Sequence, residues 1–207
     1  MTNRRKYIYR TGIAAAIALI FLAVAIMAFM IHAALTPKVG DIAPRYPVTE
    51  PSDVCTLGSP ITREITVAEG WDENPNEIMA AIEFFVHEAG VVDGMPQRDA
   101  IKRINACLCE KLVYGESKYC RTIRGPLIQR QAVCVGYALA FQYIAQYCGI
   151  DAVYVHGYTK TTAHGWNGVY FSDGSYLEVD VTMNDTGGDF EKYLLIAPEE
   201  MERLHFA

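Results

Sequence analysis

The sequence predicts an α+β fold in which helices come first and an antiparallel sheet follows, preceded by one membrane-spanning helix. Three observations lead to this prediction. Apolar residues recur at helical spacing through the middle of the chain, strand-like segments joined by an Asp-Gly pair follow residue 150, and a long apolar run lies near the N-terminus. Helices followed by antiparallel strands are typical of the α+β class.

The apolar run, residues 13–35, predicts a transmembrane helix. His32 is its only polar member, and at ~1.5 Å per residue a helix of this length crosses a bilayer core. Residues 1–12 carry four basic side chains, which predicts a cytoplasmic N-terminus, a single crossing of the cell membrane and an outside location for the rest. A cleaved signal peptide is the alternative, but its apolar region usually has only about 7–15 residues, and residues 33–37 make a poor cleavage site.

The remainder of the chain divides into a stalk and a domain. Residues 36–60 contain five prolines, which disfavour both helix and central strand. We therefore expect residues 36–60 to form an extended extracytoplasmic stalk and residues 61–207 to form one domain.

Three helices are predicted in the first half of the domain. After a weakly alternating edge strand at residues 61–68, the sequence Asn-Pro-Asn-Glu opens a helix over residues 74–89, because Asn caps helices and Pro suits the first helical position. A second helix starts near Pro96. The third spans residues 133–148 and places Cys134 in its first turn.

Strands dominate the second half of the domain. Three strand-like segments lie at residues 151–158, 165–171 and 175–181. The pair Asp173-Gly174 predicts a hairpin between the last two of them. A further strand at residues 192–196 and a short helix at residues 198–204 complete the prediction.

Three side chains in this order could form a thiol active site. Helix N-termini favour a thiolate, and a neighbouring imidazole can take the proton from Cys134. His164 precedes one strand of the predicted hairpin, and Asp180 lies near the end of the other, where it could orient the imidazole. Pairing about the turn leaves the two residues offset by about three positions, which a bulge or longer loop would have to absorb.

The motifs around these residues resemble the transglutaminase-like superfamily. Residues 131–138 (QAVCVGYA) resemble its nucleophile segment, residues 164–167 (HGWN) its His-x-Trp-Asn strand, and residues 173–182 (DGSYLEVDVT) its turn-and-acid segment. The resemblance covers roughly half of the chain, including an ending like that of bacterial members. Met183 departs from the pattern, because relatives usually carry Trp there.

The resemblance implies a papain-like core in which the nucleophile helix packs on an antiparallel sheet. In it Cys134 would be the nucleophile, His164 the base and Asp180 the orienting acid. The oxyanion is expected to be held by the Cys134 backbone N–H and one unidentified side chain.

Trp166, Gln131 and Tyr137 are the candidate substrate-binding residues. Trp166 could shield the imidazole of His164 from water, and Gln131 precedes the nucleophile. Packing in the core is the alternative for Trp166 and Tyr137.

The remaining histidines are expected to have structural roles. His87 and His205 are predicted at the surface or in helix packing. His156 is predicted to be structural or to form a pocket wall.

No cofactor, metal or nucleic acid is expected. Cys107-x-Cys109 stands alone without the second knuckle of a zinc site, and residues 184–189 resemble a calcium loop only loosely, so a solvated loop is predicted there. The net charge of −6 offers no excess of Lys and Arg to attract a phosphate backbone.

The other cysteines suggest a disulfide, because thiols outside the membrane tend to pair. Cys120 is predicted to bond either Cys107 or Cys109, with the remaining one reaching Cys55 in the stalk. Cys148 is predicted to be a buried free thiol.

These observations predict a membrane-anchored extracytoplasmic thiol hydrolase that acts on peptide or amide bonds of an external protein or peptide. Transglutaminase cross-linking is the alternative within the same chemistry, because the sequence does not encode whether water or an amine accepts the acyl group. A surface module that only binds a partner is the alternative outside it.

Overall fold

A computed structural model describes residues 54–61 and 74–207. The predicted basic segment, transmembrane helix, edge strand beyond residue 61 and stalk up to residue 53 lie outside the described residues. Within the described ranges, no helix is both long enough and apolar enough to cross a bilayer.

Three long helices come before the sheet, as the sequence predicts. Helix α1 (Pro75–Glu88) begins where Asn74 Oδ1 accepts the Glu77 N–H at 3.3 Å, which confirms the predicted cap. Helix α2 (Gln97–Lys111) follows. Helix α3 (Cys134–Tyr147) starts at the candidate nucleophile itself.

The connection from α2 to α3 contains a small parallel pair that the sequence did not predict. Strand β1 (Val113–Tyr114) pairs with β2 (Gln131–Ala132), and a π-helical turn (Gly125–Gln129) lies between them. Because β2 ends two residues before Cys134, this pairing fixes the path of the chain into the first turn of α3.

Four antiparallel strands form the main sheet in chain order. They are β3 (Asp151–Tyr158), β4 (Ala163–Tyr170), β5 (Tyr176–Val179) and β6 (Leu194–Ile196).

The hairpin between β4 and β5 closes at the predicted turn. Tyr170 pairs with Tyr176, and Asn167 pairs with Val179. The Asp173 carboxylate accepts the Ser175 N–H at 2.8 Å and stabilises the turn. The hairpin prediction is therefore confirmed.

The sheet lies between two helical layers. Ala152 and Val169, which pair across β3 and β4, belong to the large core cluster that includes α3. Val155 and Trp166 pair on the opposite face and pack against Met201 of helix α5 (Pro198–His205). Successive side chains of a strand alternate between the faces of a sheet, so α3 and α5 cover different faces.

The segment after β5 corrects the prediction in two respects. The predicted strand to residue 181 ends at Val179, and helix α4 (Val181–Gly187) follows it. The physical reason is a cap: the Asp180 side chain accepts the Met183 N–H at 3.0 Å and starts the helix. Most of the predicted solvated loop at residues 184–189 is consequently helical.

The last residues of the predicted stalk lie against the domain. The Cys55 N–H donates to the Met95 carbonyl at 2.8 Å, and the Thr56 N–H donates to the Cys148 carbonyl at 3.0 Å. Residues 54–60 therefore pack beside the C-terminal end of α3.

Gly136 lets the first turn of α3 sit close to the preceding loop. A Cβ at this position would lie 2.4 Å from the Cys120 carbonyl oxygen and 2.7 Å from the Ala132 Cβ. Any larger residue would push the start of α3, and Cys134 with it, away from this loop.

Candidate active site

Cys134 is the first residue of α3, and its thiol is only partly buried. Burial alone would raise its pKa. A hydrogen bond and charge interaction with His164, together with the backbone N–H groups of Gly165 and Val135, outweigh that effect and lower the pKa of Cys134 below its usual value. The arrangement therefore favours the thiolate.

Gly165, which makes this contact, lies directly under the Tyr154 side chain. A Cβ on Gly165 would lie 2.3 Å from the Tyr154 hydroxyl oxygen, because the Tyr154 ring packs over it. The two residues hold the backbone of β4 close to the Cys134 sulfur. Burial raises the pKa of Tyr154 to about 12, so the phenol near the thiol remains neutral.

His164 contacts Asp180 on the other side of its ring. His164 Nε2 lies 2.6 Å from Asp180 Oδ2, and both side chains are buried, with 5% and 0% of their surfaces exposed. Burial opposes the charged imidazole, but hydrogen bonds to Asp180 and Cys134 raise the pKa of His164 to about 9. The imidazolium is thus held between a carboxylate and a thiolate.

The strand register explains how the two residues meet without a bulge between β4 and β5, which was one of the two adjustments that the sequence predicted; the other, a longer loop, is present at residues 171–175. Extending the hairpin pairing by one residue sets Asp180 opposite Trp166, so His164 is its diagonal neighbour on the same face. Such neighbours are close enough for side chains to touch. The register irregularity in this region lies between β5 and β6, at Glu178 and Val179.

A second acid–ring pair lies beside the first. Trp166 Nε1 donates to Glu178 at 2.9 Å, and the Tyr176 hydroxyl donates to the same carboxyl group at 3.2 Å. The Trp166 ring stacks on His164 with centroids 5.9 Å apart. Glu178 therefore fixes the indole that covers the imidazole, while its burial raises its pKa.

Asp180 accepts hydrogen bonds through both of its oxygens. Oδ1 takes the Met183 N–H, and Oδ2 faces both His164 and, at 2.8 Å, His205 Nε2. Complete burial would raise the pKa of Asp180, but the two imidazoles and the Met183 N–H lower it overall. The carboxylate stays charged.

His205 is the residue that the sequence analysis missed. It was predicted at the surface or in helix packing, but it is buried and bound to the candidate triad acid. No local motif marks this position, because the contact depends on how α5 folds back over the sheet. His87, by contrast, is exposed, as predicted.

The three candidate substrate-binding residues occupy different environments. Trp166 is buried over His164, as the shielding hypothesis requires. Gln131 is partly exposed, and its Nε2 donates to the Glu116 carbonyl at 3.4 Å. Tyr137 is fully buried in the core, and its hydroxyl donates to Asp185 at 2.5 Å.

Two tyrosines near Cys134 are more exposed to solvent than Tyr137. Tyr114 is half exposed and Tyr154 is partly buried, and burial, followed by the charge of the Cys134 thiolate, raises the pKa of each. His156 is exposed on β3 and packs edge-on against Tyr158, so it forms no part of the contact chain through Cys134.

The predicted disulfides are not formed. All six cysteines lie in the described ranges and all are free thiols. Their directions explain why: Cys107 faces the Phe85 carbonyl, Cys109 faces the Val181 carbonyl, and Cys120 lies 3.2 Å from Glu116.

Burial separates the other thiols from Cys134. It raises the pKa of Cys55 and Cys107 to about 11, and that of Cys109 and Cys148 to about 12. Cys148 is thus a buried free thiol, as predicted.

His164, Asp180 and His205 form a cluster whose ligand atoms all lie within 4.8 Å of one another. Both imidazoles approach the same carboxylate oxygen at 2.6 and 2.8 Å, which are hydrogen-bond lengths. The cluster is therefore a hydrogen-bonded network rather than a set of side chains converging on an ion.

A thiol at a helix N-terminus, an imidazole and a carboxylate in contact define the kind of site that cysteine enzymes use for acyl transfer. Residues 87–181, which carry Cys134, His164 and Asp180, match the sequence model of the transglutaminase-like superfamily, so this part of the chain is transglutaminase-like. Members of this superfamily are generally catalytic cysteine enzymes. No curated protein matches the chain significantly.

Several solved structures resemble the chain at low identity. A crystal structure of a TGase is 20% identical with a TM-score of 0.44, and covers 58% of this chain and 35% of its own. A candidate cysteine protease from Cytophaga hutchinsonii is 15% identical with a TM-score of 0.42, over 61% of this chain and 46% of its own. The periplasmic domain of TgpA from Pseudomonas aeruginosa, bound to ethylmercury, is 21% identical with a TM-score of 0.37, over 62% and 47%. The chain thus spans less than half the length of each of them.

Alkylation should distinguish Cys134 from the other thiols. Because its pKa is lowered while burial raises those of Cys55, Cys107, Cys109 and Cys148, iodoacetamide at about pH 6 should label mainly Cys134. The measurement is the labelling rate of each cysteine peptide by mass spectrometry as a function of pH.

Two variants serve as controls for this labelling. Cys134→Ala should remove most of the label, and Cys148→Ala should retain it because that thiol is buried. Equal labelling of Cys134→Ala and the parent protein would contradict a lowered pKa at this residue.

Proposed function

We propose that the protein is a cysteine hydrolase that cleaves peptide or amide bonds through a thioester on Cys134. One observation carries this proposal: the contact chain from the Cys134 thiol through His164 to Asp180, with 2.6 Å between the last two. A domain that only bound a partner would gain nothing from a buried imidazole–carboxylate pair beside a reactive thiol.

The first half of the reaction forms the thioester. The Cys134 thiolate attacks the substrate carbonyl, and the resulting oxyanion is met by backbone N–H groups of the first turn of α3, which have no partner inside the helix. His164 then gives its proton to the departing amine. The carbon–nitrogen bond breaks, and the acyl group remains on sulfur.

The second half returns the enzyme to its starting state. His164, now neutral, takes a proton from water as the water oxygen attacks the thioester. The carbon–sulfur bond breaks, the acid is released, and the thiolate–imidazolium pair is restored. Asp180 keeps the proton of His164 Nε2 in place throughout, so that the other ring nitrogen does the transfer.

Water is the acceptor that the exposure of the site favours. Cys134 is partly exposed, while His164 and Asp180 are buried. A thioester on this sulfur would therefore be open to solvent, with its general base close at hand.

Full-length protein in detergent tests this proposal with one glutamine-containing peptide and one fluorescent primary amine. We expect release of ammonia or a cleaved peptide, and hydrolysis that falls as pH rises through about 9, where His164 loses its proton. Cys134→Ala should lose at least about 10³-fold in kcat, since it lacks the nucleophile.

Two other outcomes would overturn this assignment. Incorporation of the amine faster than hydrolysis would identify cross-linking as the main activity. Equal, negligible turnover by the parent and Cys134→Ala on a panel of peptides and amides would favour a binding role.

We also propose that the domain acts outside the cell on an external protein or peptide, anchored by residues 13–35. The support is the apolar run and the four basic side chains before it.

Protease added to intact cells tests this location. It should remove the domain while a cytoplasmic marker survives. Protection of the domain until the cells are lysed would contradict an outside location, and an N-terminally trimmed product in the medium would contradict a retained anchor.

A further inference from the structure

The His205 imidazole lies against two members of the candidate triad, Asp180 and His164. It is the last residue of α5, and its Nε2 lies 2.8 Å from Asp180 Oδ2. The same oxygen lies 2.6 Å from His164 Nε2. The side chains of His205 and Asp180 are 1% and 0% exposed, so this contact is shielded from bulk solvent. One carboxylate oxygen thus serves two imidazoles.

We propose that His205 is a positioning residue of the active site, which donates its Nε2–H to Asp180 and thereby holds the carboxylate in the orientation that fixes the His164 tautomer. The inference rests on the proposed function. His205 acts through Asp180 and does not touch the substrate.

The hydrogen bonds of Asp180 show what His205 adds. Oδ1 is held by the Met183 N–H at 3.0 Å, and Oδ2 is held by the two imidazoles. With donors on both oxygens the carboxylate plane is fixed. Without His205, the buried Oδ2 would keep only the hydrogen bond from His164. Asp180 is proposed to orient His164, so His164 could not at the same time serve as the fixed reference for Asp180.

Contacts with two aromatic side chains restrict the orientation of the His205 ring. The Trp166 indole meets it edge to face with centroids 4.7 Å apart, and the Tyr193 ring stacks on it at 6.0 Å. Trp166 is itself tied to Glu178. The ring of His205 therefore has a fixed orientation, with Nε2 directed at Asp180.

Simple space-filling does not account for an imidazole at this position. Met201 already anchors α5 in the apolar cluster with Val155 and Trp166. A residue that only filled the remaining space would be apolar, because burying a polar ring is unfavourable unless its N–H is paired. Here the N–H is paired with the one carboxylate that contacts His164.

The pH dependence of the site gives His205 a distinct signature. The titratable groups around Asp180 and His205 are Cys134 on α3, His164 on β4, Glu178 on β5, and Tyr193 before β6. Hydrogen bonds from His164 and then His205 lower the pKa of Asp180 against the effect of burial. Removing the His205 donor should raise that pKa, so the loss of Asp180 charge should occur at higher pH as the solution is acidified.

Two substitutions in the full-length protein separate positioning from packing. His205→Phe keeps a ring but removes the donor, whereas His205→Gln places an amide N–H at a similar reach. We expect His205→Phe to lower kcat about 10-fold with KM nearly unchanged, and to move the acidic limb of the pH profile upward. His205→Gln should recover most of kcat and the parental limb. His87→Phe, at an exposed histidine, should match the parent.

Cys134 alkylation against pH supplies a readout that needs no substrate. The acidic limb of labelling should shift upward in His205→Phe and not in His205→Gln, even if no peptide tried is hydrolysed.

Thermal unfolding shows which variants are folded. A parental pH profile in folded His205→Phe, or equal losses in both variants with no shift of the limb, would overturn the proposal. If His205→Phe is not folded, a His205→Gln profile displaced from the parental one would overturn it, and a parental profile would support it.

The two proposals fail separately. Hydrolysis by Cys134→Ala at the parental rate would refute the proposed function and leave the labelling result on His205 intact. Hydrolysis that depends on Cys134 but not on His205, with unshifted labelling, would refute only the role of His205.

Discussion

The carboxylate of Asp180 is a buried negative charge, and the groups around the nucleophile are arranged to stabilise it. Its position at the junction of β5 and α4 gives it the Met183 N–H on one oxygen and two imidazoles on the other. A buried charge is tolerated only when it is paired and hydrogen-bonded. Here one of the partners is His164. The hydrogen bond that stabilises the buried Asp180 charge therefore also orients the imidazole that serves Cys134 as its base.

On the face that α5 covers, the β4–β5 hairpin contains the same contact twice: an acid of one strand bound to a ring on the other strand. Glu178 reaches the diagonal neighbour Trp166, and Asp180 reaches the diagonal neighbour His164. The two rings stack, so each acid also supports the other pair. Helix α5 closes this face with Met201 and contributes its histidine. The opposite face packs on α3, whose first turn brings Cys134 to His164.

Local signals in the sequence predict much of this arrangement. The Asn74 cap, the Asp173 turn and the position of Cys134 at a helix start are short-range patterns, and all three are found where the sequence places them. The contact between His164 and Asp180 also follows once the hairpin register is known. His205 could not be predicted in the same way, because its contact depends on how α5 returns across the sheet.

The disulfide prediction was wrong because helical spacing shows that Cys107 and Cys109 diverge but not what each thiol meets in the folded domain. Cys107 faces the Phe85 carbonyl, Cys109 faces the Val181 carbonyl, and Cys120 contacts Glu116.

Trapping an acyl group on Cys134 would show whether its thiol forms a thioester with the help of His164. The full-length protein would be mixed with an activated ester, quenched in acid after increasing times, and analysed by mass spectrometry for an adduct on each cysteine peptide. We expect rapid acylation of Cys134, loss of the adduct by hydrolysis over time, and slower acylation and slower hydrolysis in His164→Ala. Acylation of Cys134 at the same rate in His164→Ala, or an adduct distributed equally among the six cysteines, would show that His164 does not activate this thiol.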